Sequence, residues 1–262
     1  MVIVDDEDFH VPEDHPRAES IKIREQLIEG FKEGFVAVAG LIAHGRGEAF
    51  DYILGEKTHH FAEKAEKAAV ATLILAKNPV ISVNGNVAAL VPYEIVQLSK
   101  LLKAKLEVNL FYRTKKREEA IKKVLETAGA EKVLGVGESA SATIPELSHP
   151  RRKVDPEGIL IADVVMVPLE DGDRTIALRK LEKQVITIDL NPLSRTAQEA
   201  NITIVNNITR TIPEMIQITQ NIINTKKKRE ELQKILKTYN NKEILSMATK
   251  TINEHLTKLT KT

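Results

Sequence analysis

The chain has 262 residues, 42% of them hydrophobic, enough to bury a sizeable core as one large domain or a domain with appendages. Its 38 Lys and Arg against 37 Asp and Glu leave a formal charge of +1, which gives no global attraction to nucleic acid or to a membrane surface. With no Cys, no Trp and 4% aromatic residues, disulfides, thiol nucleophiles, thiolate metal sites and large stacking platforms for single-stranded nucleic acid are excluded, and a cytoplasmic protein is expected.

In chain order, the first fourteen residues hold six acids and no base, unlike the basic start of a signal peptide, and read as an acidic N-terminal extension. Residues 17–32 carry a helical stripe of Ile21, Leu27, Ile28 and Phe31. Arg24 falls inside that stripe, and an arginine turned inward requires a partner. The following segment, FVAVAGLIAHGRGEAFDYILGEKT, is rich in glycine and small residues and reads as a loop around His44 and Arg46. An Ala/Lys/Glu-rich helix follows over roughly residues 57–77.

From Val80 the pattern changes to short apolar runs alternating with helices. Strands are predicted over 80–83, 106–112, 133–136, 162–169, 185–190 and 202–205, with a long polar loop over 137–158. Continuous apolar strands between helices indicate a parallel sheet covered on both faces. The expected fold is therefore α/β, a Rossmann-like parallel sheet with flanking helices, an N-terminal helical segment and a C-terminal helical tail. Boundaries fall at 1–14, 15–224 and 225–262; the last segment carries ten Lys/Arg, four Asp/Glu and an amphipathic apolar stripe. No apolar run approaches the ~20 residues that span a bilayer.

Ligands of such sheets sit beyond the carboxyl ends of the strands. Here those ends carry Asn84-Gly85-Asn86, Arg113-Thr114, Glu170 to Thr175, Asp189 to Thr196, and Asn206-Asn207. Asn, Gly, Asp and Pro are ordinary turn residues; the convergence of several such loops on one sheet edge is what marks a site. Gly172 and Asp189 have the relative places of the glycine turn that receives phosphate and the acid that holds ribose hydroxyls, although no GxGxxG is present. GLIAHGRG from Gly40 misses the P-loop pattern, because Arg-Gly stands where Lys and a magnesium-binding hydroxyl belong. A glycine-flanked arginine can still bring backbone and guanidinium to an anion. None of the seven His makes a metal-binding spacing, and no GxSxG elbow is present.

Several blocks are similar to the archaeal phosphopantothenate synthetase family, 4-phosphopantoate–β-alanine ligase. They are HPRAESIKIREQLIEGF from His15, GLIAHGRGEAFDYILGEKT from Gly40, NPVISVNGNVAALVP from Asn78, LEVNLFYRT from Leu106, ADVVMVPLEDGDRT from Ala162 and DLNPLSRTAQEANITIVNN from Asp189. The resemblance runs in order from about Val11 to Thr219, leaving the last forty residues outside it. It implies a homodimer with 4-phosphopantoate and β-alanine as substrates, ATP as co-substrate and Mg²⁺ as its companion. It implies nucleotide contacts by Arg24, Arg46, Asp189, Leu190, Asn191, Arg195, Thr196, Asn207 and Ile208. Asn84, Asn86, Arg113 and Arg174 are expected at the acid substrate; Arg46, His44, Asp171 and Asp173 are expected nearest the chemistry. The implied reaction is carboxylate activation as an acyl adenylate, then amide formation. A nicotinamide-dependent oxidoreductase and a non-catalytic nucleotide-binding protein are the alternatives the same fold allows.

Overall fold

The apolar runs become the six strands of one sheet because every one of their central residues is enclosed on both faces. The computed structural model describes residues 14–225 and 228–260 together with Pro12; the acidic extension read at 1–14 lies almost wholly outside the described residues. Three helices come first: α1 (Ala18–Lys32), α2 (Val38–Leu54) and α3 (His60–Leu75). Then follow β1 (Pro79–Val83), α4 (Gly85–Leu90), α5 (Pro92–Leu102), β2 (Lys105–Val108), α6 (Lys115–Thr127) and β3 (Val133–Leu134). A small antiparallel pair, β4 (Ala142–Thr143) with β5 (Lys153–Val154), precedes β6 (Val164–Met166), α7 (Gly172–Lys180), β7 (Gln184–Ile188), α8 (Arg195–Glu199) and β8 (Ile202–Ile204). The chain closes with α9 (Ile208–Asn224), α10 (Arg229–Thr238) and α11 (Asn241–Leu259).

The main sheet has the order β3-β2-β1-β6-β7-β8, and all of its pairs are parallel. The order reverses between β1 and β6, so the crevice for a ligand opens beyond those two strands. Period-two alternation divides the core. Ile81, Val83, Met166, Ile186 and Ile188 join the helices on one face, and Val80, Val165, Val167 and Val185 face the other. The second face is covered by α7 and by the predicted polar loop, which buries Ile144, Leu147 and Val154 there.

Two sequence expectations fail here. The glycine-rich segment around His44 is the helix α2, not a loop. Helix-interior glycine costs ~1 kcal/mol relative to Ala, but Gly40 is needed: a Cβ there would lie 2.3 Å from Asn86 Oδ1, and Asn86 Nδ2 donates to the Gly40 carbonyl at 2.9 Å. The tail is not an appendage. Leu232, Ile244, Leu245 and Ala248 sit in the main core, and Asn241 Oδ1 accepts the outward N–H of Thr203 on the edge strand β8 at 2.8 Å. No described helix is long and apolar enough to cross a membrane.

Candidate active site

A cavity of about 630 Å³ lies at the point where the strand order reverses. The turns after β1, β2, β6, β7 and β8 form it, and α2 lies along one side. Of the residues expected at the site, Arg46, His44, Asp171, Asp189, Leu190, Asn191, Arg195, Thr196, Asn207, Ile208, Asn84 and Asn86 line it.

One end is built by the turns after β7 and β8. Asp189 ends β7; its carboxylate accepts the N–H of Asn191 at 2.9 Å and the hydroxyl of Ser194. Ser194 in turn caps α8 by accepting the N–H of Ala197 at 2.9 Å. Burial pushes the Asp189 carboxyl up, against those two hydrogen bonds and the nearby Arg46 guanidinium, which favour its ionised form. Arg46 reaches this end from α2 and makes no hydrogen bond or ion pair among the described residues. Its backbone N–H is inside a helix, so the backbone approach to an anion expected from the flanking glycines is not available. Asn207 caps α9 through Thr209 and donates to buried Asp51 at 2.8 Å. Thr196 Oγ1 donates to the Glu170 carbonyl at 2.9 Å, and Arg195 pairs with Asp173 at 2.6 Å across the exposed rim.

The other end is cationic. Arg117, from the first turn of α6, donates to the carbonyls of Phe35 and Tyr112. Burial lowers its pKa, and among the described residues no carboxylate stands beside it to raise it again. Arg151, 7% exposed, pairs with Glu170 and lies 3.4 Å from Asp171. Burial, then Arg174, bring its pKa down to about 9, and its Nε has no hydrogen-bond partner. Between the two ends Asn84 Oδ1 caps α4, and its Nδ2 ties the carbonyls of Pro168 and Leu169. Leu169 holds a left-handed φ of 53°, a strained conformation for a branched side chain at the cavity wall. Gly85 permits the approach of α1–α2: a Cβ there would meet the Phe35 carbonyl at 2.3 Å.

Four expected residues are placed elsewhere. Arg24 is held by Glu48 at 2.9 Å and by Tyr52. Arg113 is spent on Glu118 at 2.5 Å and on the carbonyls of Lys153 and Gly135. Arg174 is fully buried beneath the cavity, on Glu170 and Ser82, with a pKa lowered to about 10 by that burial. Asp173 stays at the rim with Arg195. The sequence reading missed Arg117 and Arg151. For Arg117 a signal existed: the run Lys115-Lys116-Arg117 puts cations at a helix N-terminus, against the dipole. Asp171 caps α7 through the Arg174 N–H, and its Oδ2 faces only Arg151, without a hydrogen bond. His44 is pushed down by burial and stays neutral at neutral pH, with Nε2 buried and unpartnered.

Comparison with known proteins bears on this cavity. The family described as phosphopantothenate/pantothenate synthetase matches residues 61–255. A protein named 4-phosphopantoate--beta-alanine ligase from Thermococcus kodakarensis is 53% identical over 251 residues, covering 95% of each chain. One of the same name from Methanosarcina mazei is 52% identical over 246 residues, 94% of this chain and 95% of that one. A third, from Methanospirillum hungatei, is 52% identical over 202 residues, 77% of this chain and 82% of its own. The family match continues past Thr219 through α10 and most of α11, so the tail is common to the family.

Proposed function

The chain belongs to the phosphopantothenate/pantothenate synthetase family, an amide-forming ligase, and we propose that it joins 4-phosphopantoate to β-alanine at the expense of ATP. The products are 4'-phosphopantothenate, AMP and pyrophosphate, a step toward coenzyme A. The observation that carries the substrate assignment is the two-ended cavity: a polar end suited to a nucleotide and a cationic end suited to a phosphorylated acid.

A carboxylate is a poor electrophile, so its activation comes first. The phosphopantoate carboxylate attacks the α-phosphorus of ATP; the new O–P bond forms as the bond to pyrophosphate breaks. Asp189 would accept from ribose hydroxyls, and the turn at Asn207 would hold the nucleotide from the opposite side. Arg46, whose guanidinium is uncommitted, meets the charge that builds on the α-phosphate and leaving pyrophosphate. Arg117, which meets only carbonyls among the described residues, replaces Arg113 and Arg174 as the group for the substrate phosphate, because the latter pair is already spent within the protein; Arg151, itself paired with Glu170, adds positive charge nearby. Such a site leaves the Arg117 cation unpaired when the phosphate is missing, so pantoate is rejected. In the second step the β-alanine amine attacks the acyl carbon and AMP leaves. The ammonium must lose a proton first, and neutral His44, which lines the cavity, would be the group to take it. Among the described residues no three His, Asp or Glu are grouped to cage a metal. Mg²⁺ would be held by the phosphates and would supply charge neutralisation there; Asp171 does not fit as its ligand, because its Oδ2 is buried against Arg151.

Mass spectrometry after incubation with ATP, Mg²⁺, phosphopantoate and β-alanine tests the reading. AMP and phosphopantothenate in equal amounts are expected, and ADP with free phosphate would overturn it. The assembly proposed is a homodimer, checked by analytical ultracentrifugation.

A further inference from the structure

Behind the nucleotide end of the cavity lies a second polar cluster that the reaction above does not use. Glu66 of α3 is 1% exposed, and its carboxyl converges with that of Glu214 of α9 on the side-chain amide of Asn206. Thr58 Oγ1 donates to Glu214 Oε1 at 2.7 Å. The buried Asn206 bridges the pair: its Nδ2 lies 3.0 Å from Thr58 Oγ1 and 3.3 Å from both Glu66 Oε1 and Glu214 Oε2. No Lys, Arg or His reaches either carboxyl among the described residues. Arg210 gives its Nη atoms to Asp51 and its Nε to Asn206 Oδ1 at 3.0 Å. The charged groups around the pair are Glu63 on its own helix, Arg210 on α9 and Asp51 on α2.

Two ionised carboxyls that converge on one amide nitrogen, one buried and one half-buried and with no cation reaching them among the described residues, repel strongly; one proton held between them turns the repulsion into a hydrogen bond. Burial first, then Glu214, push Glu66 up to about 9. The other side of the bridge leads to the site. Asn206 Oδ1 accepts the backbone N–H of Asn207 at 2.8 Å, and Asn207 and Ile208 line the cavity. We propose that Glu66 and Glu214 share a single proton at neutral pH, and that this pair acts through Asn206 as a positioning device for the turn that holds the nucleotide. The positioning role rests on the nucleotide reading of that end of the cavity. Loss of the proton sets a second negative charge against Glu214. The carboxyls separate, Asn206 follows one of them, and the Asn207 turn leaves its place.

The test is ATP binding by calorimetry at pH 7.5 and pH 10, without the other substrates, on the full chain and on Glu66→Gln. Affinity coupled to one proton falls at most about tenfold per pH unit above the pKa. Wild type is therefore expected to weaken by about tenfold, and Glu66→Gln, whose amide keeps a hydrogen for Glu214 at both pH values, by less than about threefold. A thermal-unfolding series needs no ligand. The folded state holds a proton that the unfolded chain releases above the ordinary carboxylate range. Wild-type stability thus declines from about pH 4.5 up to about pH 9, and Glu66→Gln should flatten that decline. Parallel pH profiles for the two proteins in both measurements would overturn the shared proton and its role. Absence of ATP binding by wild type at pH 7.5 would overturn the positioning role together with the nucleotide reading, while the unfolding series still decides the proton.

Discussion

Replacing Arg46 by Ala should separate catalysis from folding. The side chain is exposed in the cavity and makes no hydrogen bond or ion pair among the described residues. An exposed substitution without such contacts changes stability by less than about 0.5 kcal/mol. Unfolding entropy of about 2.1 cal/mol/K per residue gives about 0.55 kcal/mol/K for 262 residues, so Tm should move by under ~1 °C. The rate should suffer far more. A guanidinium that meets charge only as the α-phosphate is attacked contributes to the transition state and little to the bound ground state. Its loss is expected to cost ~10²-fold in kcat, about 2.7 kcal/mol, with KM for ATP little altered. Arg46→Lys restores the charge but not the planar fork and should recover only part of the rate. Asp189→Ala is the contrast. Its carboxylate ties Asn191 and Ser194 in the free protein, and losing such bonds costs about 1–3 kcal/mol. Tm should fall by ~2–5 °C and KM for ATP should rise more than kcat falls. Pyrophosphate release gives kcat and KM, and differential scanning calorimetry gives Tm. If Arg46→Ala raises only KM, or lowers Tm by several degrees, Arg46 is holding ground-state nucleotide or the fold, and the division of roles is wrong.

Arg117→Ala should raise KM for phosphopantoate and narrow its kcat/KM advantage over pantoate by about tenfold or more, while KM for ATP stays close to wild type; an unchanged ratio removes Arg117 from the phosphate subsite. Gly45→Ala in α2 should stabilise by about 0.5–1 kcal/mol, read as a rise of ~1–2 °C in Tm, because an added Cβ there meets no atom within 4 Å. Truncation after Thr225 should abolish cooperative thermal unfolding, since it strips Leu232, Ile244, Leu245 and Ala248 from the core and uncovers the Thr203 N–H on β8; a truncated chain with wild-type Tm would refute that.

How far the site could be read in advance depended on where each signal lies. Asp189, Asn191 and Asn207 were legible because short buried strands announce themselves as apolar runs, and a ligand crevice follows their carboxyl ends. Choosing among the arginines was not possible, because every one of them is equally cationic in a sequence. Arg113 and Arg174 are neutralised by Glu118 and Glu170, whereas Arg117 meets only carbonyls. The helix α2 was hidden by Gly40, Gly45 and Gly47, of which Gly40 serves a contact with Asn86 that no local pattern contains. Asp51 and Asn207 are 156 residues apart and Glu66 and Asn206 are 140 apart, so the network behind the Asn207 turn exists only once the chain has closed.

The central claim is that the acid is activated as an adenylate. Phosphopantoate labelled with ¹⁸O in its carboxylate tests it most directly. When the carboxylate oxygen attacks the α-phosphorus and the amine then displaces AMP, one labelled oxygen leaves on the AMP phosphate. Mass spectrometry of the nucleotide product should show AMP carrying a single ¹⁸O, with unlabelled pyrophosphate. Label in inorganic phosphate beside unlabelled ADP would mean an acyl phosphate, and would contradict the account of how this cavity works.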